Sequence, residues 1–245
     1  MRTLVVVPTY EEATNITELL QRTRAAAPHV DILVVDDNSP DGTAKLAQAL
    51  SEELGQIDVL VRPAKAGLGT AYRAGFAIGI ERGYEVILQM DADLSHDPAS
   101  IPALVGALDE RVGLVIGSRY VPGGEIPHWP WHRRALSRYG NLYTRLALGL
   151  KVRDLTSGFR AWRTSTLVGM DYESTHATGY LFQMEMAYRV DCHGEDIREV
   201  PIIFTDRVRG ASKMSGAVIF EELTKVTWWG VRDRMRRVRR RPSGR

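Results

Sequence analysis

Three short stretches of this 245-residue chain hold residues whose types and spacing suit chemistry. Asp91-Ala92-Asp93 sets two carboxylates one residue apart, directly after an apolar run. Such a pair binds a hard divalent cation through oxygen and leaves positions open for diphosphate oxygens. Mg²⁺ or Mn²⁺ at that place neutralises the charge that grows on a departing nucleoside diphosphate. Asp36-Asp37-Asn38-Ser39-Pro40-Asp41-Gly42-Thr43 follows a second apolar run, and Asp36 and Asp37 can accept hydrogen bonds from a base N–H or from ribose hydroxyls. Pro8-Thr9-Tyr10-Glu11-Glu12 follows a third. Each alone has an ordinary explanation, since Ser39 or Asp41 can cap a helix and Asp-x-Asp is common in loops. Three such stretches, all at the ends of apolar runs, are much harder to assign to chance.

The elements that position them follow from periodicity. Residues 4–7, 32–35, 59–61, 86–90 and 114–116 read as short buried strands, with helical patterns over 12–27, 43–54, 70–82 and 98–108 between them. Alternating strands and helices predict an α/β fold with a mostly parallel sheet covered on both faces. In such sheets ligands bind in the loops beyond the carboxyl ends of the strands, where all three stretches fall. Residues 121–130, rich in Pro and Gly, read as an irregular loop; helices over 131–150 and 179–192 and a strand over 197–204 follow.

Composition bounds the function classes. With 44% hydrophobic and 25% charged residues the chain has the proportions of a globular protein. No stretch reaches about 18 uninterrupted apolar residues, which argues against a membrane-spanning helix, and the strand-like start leaves no room for a signal peptide. The single cysteine, Cys192, excludes an intrachain disulfide, is expected as a packed thiol in a helix, and suits a reducing cytoplasm. No Cys/His cluster has zinc-site spacing. A dinucleotide oxidoreductase needs Gly-x-Gly-x-x-Gly after the first strand; Pro8-Thr9-Tyr10-Glu11-Glu12 stands there instead.

Charge is uneven. From residue 230 to 245 there are eight arginines and one aspartate, a balance of +7, which leaves about −5 for the rest of a chain whose net charge is +2. Phe220, Leu223, Thr227, Val231, Met235 and Val238 recur at helical spacing with Trp228 and Trp229 beside them, so residues 217–245 are expected to form an amphipathic interfacial helix and a basic tail. The competing reading is a terminal helix packed on the body. No nucleic-acid-binding module accompanies the tail, so an anionic membrane surface is the expected partner and nucleic acid is not.

These motifs, with Lys65-Ala66-Gly67-Leu68-Gly69-Thr70-Ala71-Tyr72 and Leu94-Ser95-His96, resemble family-2 glycosyltransferases of the GT-A fold. Gly117-Ser118-Arg119-Tyr120, Thr156-Ser157-Gly158-Phe159-Arg160, Gly179-Tyr180-Leu181-Phe182-Gln183 and Arg209-Gly210-Ala211-Ser212-Lys213-Met214 narrow the resemblance to dolichol-phosphate or polyprenol-phosphate mannose synthases, of an actinobacterial type by composition. The resemblance runs from about residue 2 to 220. It implies a GT-A domain over 1–216, with a nucleotide-sugar half to about 118 and an acceptor half after it. It implies inverting transfer of mannose from GDP-mannose to a polyprenyl monophosphate, at the cytoplasmic face of the cell membrane, with room for a separate membrane-anchoring protein.

Residue roles come with it. Pro8, Tyr10, Glu12, Asp37 and Lys65 should line the nucleoside pocket. Asp91 and Asp93 should hold the metal and, with Ala92, meet the diphosphate. Arg207 and Lys213 match groups near that diphosphate, while Arg119, Arg133 and Ser137 match positions that grip the acceptor phosphate. Asp91, Asp93 and Arg119 are the residues expected to carry catalysis. Relatives often carry Gln where this chain has Ser95, whose shorter oxygen leaves that ligand position to water. Glu185 is expected to pair with Arg189 four residues on rather than act as a base. A phosphate monoester is already ionised near neutral pH, so no general base is required. Two other readings remain: the same fold using UDP-glucose, and a non-catalytic scaffold that binds a nucleotide sugar.

Overall fold

The computed structural model describes residues 1–175, 177, 179–206 and 226–229. Its strands are β1 (Thr3–Thr9), β2 (Asp31–Asp36), β3 (Ile57–Val61), β4 (Val86–Gln89), β5 (Val112–Ser118), β6 (Arg160–Arg163) and β7 (Asp196–Pro201). They form one sheet in the order β3-β2-β1-β4-β6-β5-β7. All neighbours are parallel except β6, which runs antiparallel to both β4 and β5. Each apolar run expected to be a strand is one. β6 was not expected: Arg160-Ala161-Trp162-Arg163 has no apolar run, and its place is set by pairing on both sides.

The helices are α1 (Ile16–Ala26), α2 (Thr43–Leu54), α3 (Leu68–Glu81), α4 (Ile101–Gly106), α5 (Trp131–Leu148), α6 (Thr164–Gly169) and α7 (Tyr180–His193). Strand alternation divides the core. Val5, Val7, Ile32 and Val34 pack with Ile16, Leu19 and Leu20 of α1 and Ile101 and Leu104 of α4. Leu4, Val6, Leu33 and Val35 face the other way, toward Tyr72 and Phe76 of α3 and Leu181 and Phe182 of α7. The expected mostly parallel sheet with helices on both faces is therefore present. The first helix starts at Ile16 rather than residue 12, because the Glu12 carbonyl accepts the N–H groups of Asn15 and Ile16 to close a turn. Cys192 departs from expectation: it lies on the outward side of α7 and is exposed. The expected pair of Glu185 and Arg189 is present at 2.8 Å.

Of the expected C-terminal helix, only residues 226–229 are described; they are helical, with Val226 buried and Trp228 exposed. Arg207, Lys213 and the arginine tail lie outside the described residues. Among the described residues no helix is long and apolar enough to cross a membrane.

Helix α3 lies unusually close to the sheet. A Cβ at Gly75 would sit 2.4 Å from Cγ1 of Val6, and one at Gly79 would sit 2.6 Å from Cδ1 of Ile87. Both neighbours are buried on central strands and have no room to yield. This approach carries Tyr72, on the same helix, to the sheet's carboxyl edge. Gly75→Ala should therefore destabilise the fold by about 1–3 kcal/mol through overpacking, although alanine favours helix. Urea unfolding would check this; a variant as stable as the parent would show that α3 can move outward freely.

Candidate active site

Loops after β1, β2, β4, β5 and β7 all emerge at one edge of the sheet. Because β6 is reversed, it is the loop before it, not after it, that reaches the same edge. The first two loops are laced together by short polar groups. Asp36 accepts from the hydroxyls of Thr9 at 2.8 Å and Ser39 at 2.6 Å, and from the Ser39 N–H at 2.8 Å. Asp41 accepts from the Thr43 N–H and hydroxyl and from the Ala13 N–H. Desolvation raises the Asp41 pKa, but these hydrogen bonds outweigh it and hold the carboxyl below its usual value.

The residues expected at a nucleoside gather here. Lys65 Nζ lies 3.6 Å from the centre of the Tyr10 ring. Asp37, buried, pairs with Arg62 at 3.1 Å and accepts the Ala66 N–H at 3.3 Å. Glu12 accepts from Asn15, and its own N–H donates to Thr43. Pro8, next to Val35 in the ladder, sits at the end of β1. Arg62 was not singled out from the sequence, where it stands as one arginine on an edge strand's end.

A separate cleft is lined by Asp91, Asp93, Ser95, His96, Arg119, Trp129, Arg133, Thr156, Ser157, Gly158, Phe204 and Asp206. Asp91 Oδ1 accepts the Tyr72 hydroxyl at 3.0 Å. Burial, then the charge of Asp91, raises the Tyr72 pKa well above its ordinary value, so Tyr72 stays a donor. The Asp91 N–H donates to Nδ1 of His96 at 3.3 Å, which puts the proton of the neutral ring on Nε2. Burial depresses the His96 pKa, against the pull of Asp91 and Asp93, and favours the neutral ring. Asp93 Oδ1 accepts the hydroxyl of Ser95 at 2.5 Å and its N–H at 3.1 Å. Ser95 thus orients Asp93 instead of extending toward a cation.

The donor set fits a hard divalent ion. Both groups are carboxylates, and Gly158 leaves them clearance: a Cβ there would lie 3.0 Å from Asp91 Oδ2. Among the described residues no cluster of three or more His, Cys, Asp or Glu side chains would enclose a metal. Substrate and water oxygens would complete the coordination.

The cleft's two arginines have partners of different burial. Arg119, following β5, makes a fork on the fully buried Asp154, with Nε and Nη2 each at 2.7 Å, and Nη2 also donates to Thr156 Oγ1 at 2.7 Å. Desolvation raises the Asp154 pKa, yet attraction and hydrogen bonds from Arg119 leave it below its usual value. Arg133, in the first turn of α5, lies 4.0 Å over the Trp129 ring and 3.2 Å from both Asp206 oxygens. Ser137, one turn on, accepts the Tyr120 hydroxyl at 2.6 Å and does not line the cleft. The sequence alone assigns no role to Tyr72, Asp154, Trp129 or Asp206. Tyr72 stands at the end of Lys65-Ala66-Gly67-Leu68-Gly69-Thr70-Ala71-Tyr72, and Asp154 carries no signal beyond preceding Thr156-Ser157-Gly158.

Comparison with known proteins gives the chain's family. The Glycosyl transferase family 2 profile matches residues 4–168. The chain is 47% identical to a polyprenol monophosphomannose synthase from Mycolicibacterium smegmatis, over 97% of this chain and 90% of that protein. It is 46% identical to an undecaprenyl-phosphate mannosyltransferase from Micrococcus luteus, over 98% of this chain and 99% of that one. A mannosyltransferase from Pyrobaculum calidifontis, solved with GDP-Man and Mn²⁺, shares the fold with a TM-score of 0.66 at 17% identity, over 94% of this chain and 64% of that one. A profile match across most of the sheet, and relatives near one-half identity along almost the whole sequence, make this chain a member of glycosyl transferase family 2.

Proposed function

We propose that the chain transfers mannose from GDP-mannose to the phosphate of a polyprenyl monophosphate, with inversion at the anomeric carbon and release of GDP. The observation that carries this reading is one cleft lined by two carboxylates, Asp91 and Asp93, and two guanidinium groups, Arg119 and Arg133. Such a site takes a metal-bound diphosphate and a second phosphate together. The names of its two near-half-identical relatives support the sugar and the acceptor.

Pro8, Tyr10, Glu12, Asp37 and Lys65 take the nucleoside. Asp91 and Asp93, with Ala92 between them, take the diphosphate, joined by Arg207 and Lys213. When bound at the two aspartates, Mg²⁺ or Mn²⁺ supplies neutralising charge to the leaving group. Tyr72 and Ser95 hold those carboxylates in place. Arg133 takes the acceptor phosphate by exchanging it for Asp206, and Ser137 still has its own O–H to donate. Arg119, its charge balanced by Asp154, orients that phosphate. A lipid-phosphate oxygen then attacks as GDP leaves from the opposite face. No base is needed, and His96 is placed to hold the Asp91 backbone, not to take a proton. Catalysis rests on positioning and charge.

The acceptor is a lipid, and α5 suits a bilayer surface. Its buried side carries Asn141, Thr144 and Leu148, whereas Trp131, Leu136, Tyr139, Leu142 and Leu146 are exposed. So many large apolar residues outside, over a buried side that is partly polar, depart from the pattern of a helix in water. Arg133, Arg134, Arg138 and Arg145 share the helix with no acidic residue, which matches an anionic headgroup layer. With the arginine tail, this face holds the chain peripherally at the cytoplasmic face of the cell membrane.

Asp91→Ala should lower transfer of labelled mannose to polyprenyl phosphate by at least about 100-fold, and chelator should do the same to the parent. Near-parental turnover in metal-containing buffer would overturn the assignment. Transfer from UDP-glucose in place of GDP-mannose would keep the mechanism and overturn the sugar. For the membrane, Leu142→Glu with Leu146→Glu, or deletion of residues 230–245, should reduce co-sedimentation with vesicles containing phosphatidylglycerol. Undiminished sedimentation of both variants would sink the surface assignment.

A further inference from the structure

One cation of this fold has no place in the mechanism above. Arg160, the first residue of β6, is completely buried. Its side chain makes no ion pair among the described residues; it donates instead to three backbone carbonyls. Nε reaches Ser157 at 2.8 Å, Nη2 reaches Leu155 at 2.8 Å and Nη1 reaches Gln183 of α7 at 2.7 Å. Burying a guanidinium without a carboxylate on it is unfavourable. Burial pushes its pKa down to about 9, opposed by the nearby charge of Asp154, so it remains protonated at neutral pH.

What it holds explains its retention. The backbone of Arg160 is fixed in the middle of the sheet, opposite Gln89 of β4 and Ile116 of β5. From that anchor the guanidinium grips the turn 155–158 at two successive odd positions and ties it to α7. This turn touches both kinds of group in the cleft. Thr156 accepts from Arg119 and from Asn141 of α5, and Gly158 lies against the Asp91 carboxylate. Three divergent carbonyls need a planar group with N–H bonds on three nitrogens; a lysine ammonium offers one point.

We propose that Arg160 is a positioning residue that sets the turn 155–158, and through it fixes both the Asp91 side and the Arg119 side of the cleft. It touches neither substrate nor cation. The proposal rests on the donor and acceptor reading above, and it predicts that one distant substitution disturbs both ends of the reaction together.

The test is Arg160→Lys, compared with Leu114→Ala, which opens a cavity in the neighbouring strand β5 without touching the turn. Two readings are taken: Mn²⁺ affinity by calorimetry in the presence of GDP, and KM for polyprenyl phosphate. Arg160→Lys should weaken Mn²⁺ binding by about 10–100-fold, as loss of a supporting partner does, and raise KM by a similar factor. Leu114→Ala should lower the melting temperature and move neither. A folded Arg160→Lys protein with either quantity within twofold of the parent would overturn the proposal, as would Leu114→Ala moving both. If Arg160→Lys does not fold, Gly158→Ala should weaken Mn²⁺ binding alone and Thr156→Val should raise KM alone; failure of either split overturns it equally. Absence of transfer by the parent protein would instead overturn the functional reading, and Mn²⁺–GDP binding would still decide the role of Arg160.

Discussion

Strand β6 enters the sheet against the direction of β4 and β5, and the geometry of the cleft follows from that reversal. In a wholly parallel sheet, only loops that follow strands reach the carboxyl edge. Here the loop preceding β6 reaches it as well. That loop delivers Asp154 to Arg119, Thr156 to the same guanidinium and Gly158 to Asp91. It adds to a second tie between the acidic loop after β4 and the basic residue after β5, in which Phe204 pairs with His96 and lies 5.2 Å from the Arg119 guanidinium. An antiparallel insertion is compatible with the sheet because Arg160, Ala161 and Trp162 find ladder partners on both sides.

Desolvation decides what each arginine does. Arg119 is buried with a full carboxylate partner, which makes it a fixed, nearly neutral unit able to present shape and hydrogen bonds more than charge. Arg133 is part exposed and paired with an equally exposed Asp206, a contact weak enough to exchange for a phosphate. Arg160 is buried against carbonyls and is committed to structure. Beyond the cleft on α5, Arg134 is part-buried and donates to the Ile126 carbonyl at 2.7 Å, whereas Arg138 is exposed. One residue type thus supplies a clamp, an exchangeable ligand, an internal strut and a surface charge.

Helix α5 links chemistry to surroundings. Its first turn carries Arg133 into the cleft, its buried side sends Asn141 to the N–H of Leu155 at 2.7 Å, and its outward side exposes Trp131, Leu136, Tyr139, Leu142 and Leu146. The same helix therefore touches the turn that shapes the site and exposes large apolar side chains to solvent. On its buried side Asn141 is satisfied by that turn, while the Thr144 hydroxyl is directed to the sulfur of Met184 on α7.

From the sequence by itself came the α/β alternation, the loops that bear Asp36, Asp37, Asp91 and Asp93, and the polar chemistry those loops suit. Local periodicity encodes such features, because an apolar strand or an amphipathic helix declares its own buried face. β6 was not legible, since Arg160-Ala161-Trp162-Arg163 becomes a strand only through partners far away in the chain. Nor were Asp154 and Tyr72, which act on Arg119 and Asp91 across 35 and 19 residues. Their side chains do not differ in type from those of a surface aspartate or a core tyrosine. Only the tertiary structure removes water from around them, and it is the loss of water that makes a hydrogen bond or charge at those positions decisive.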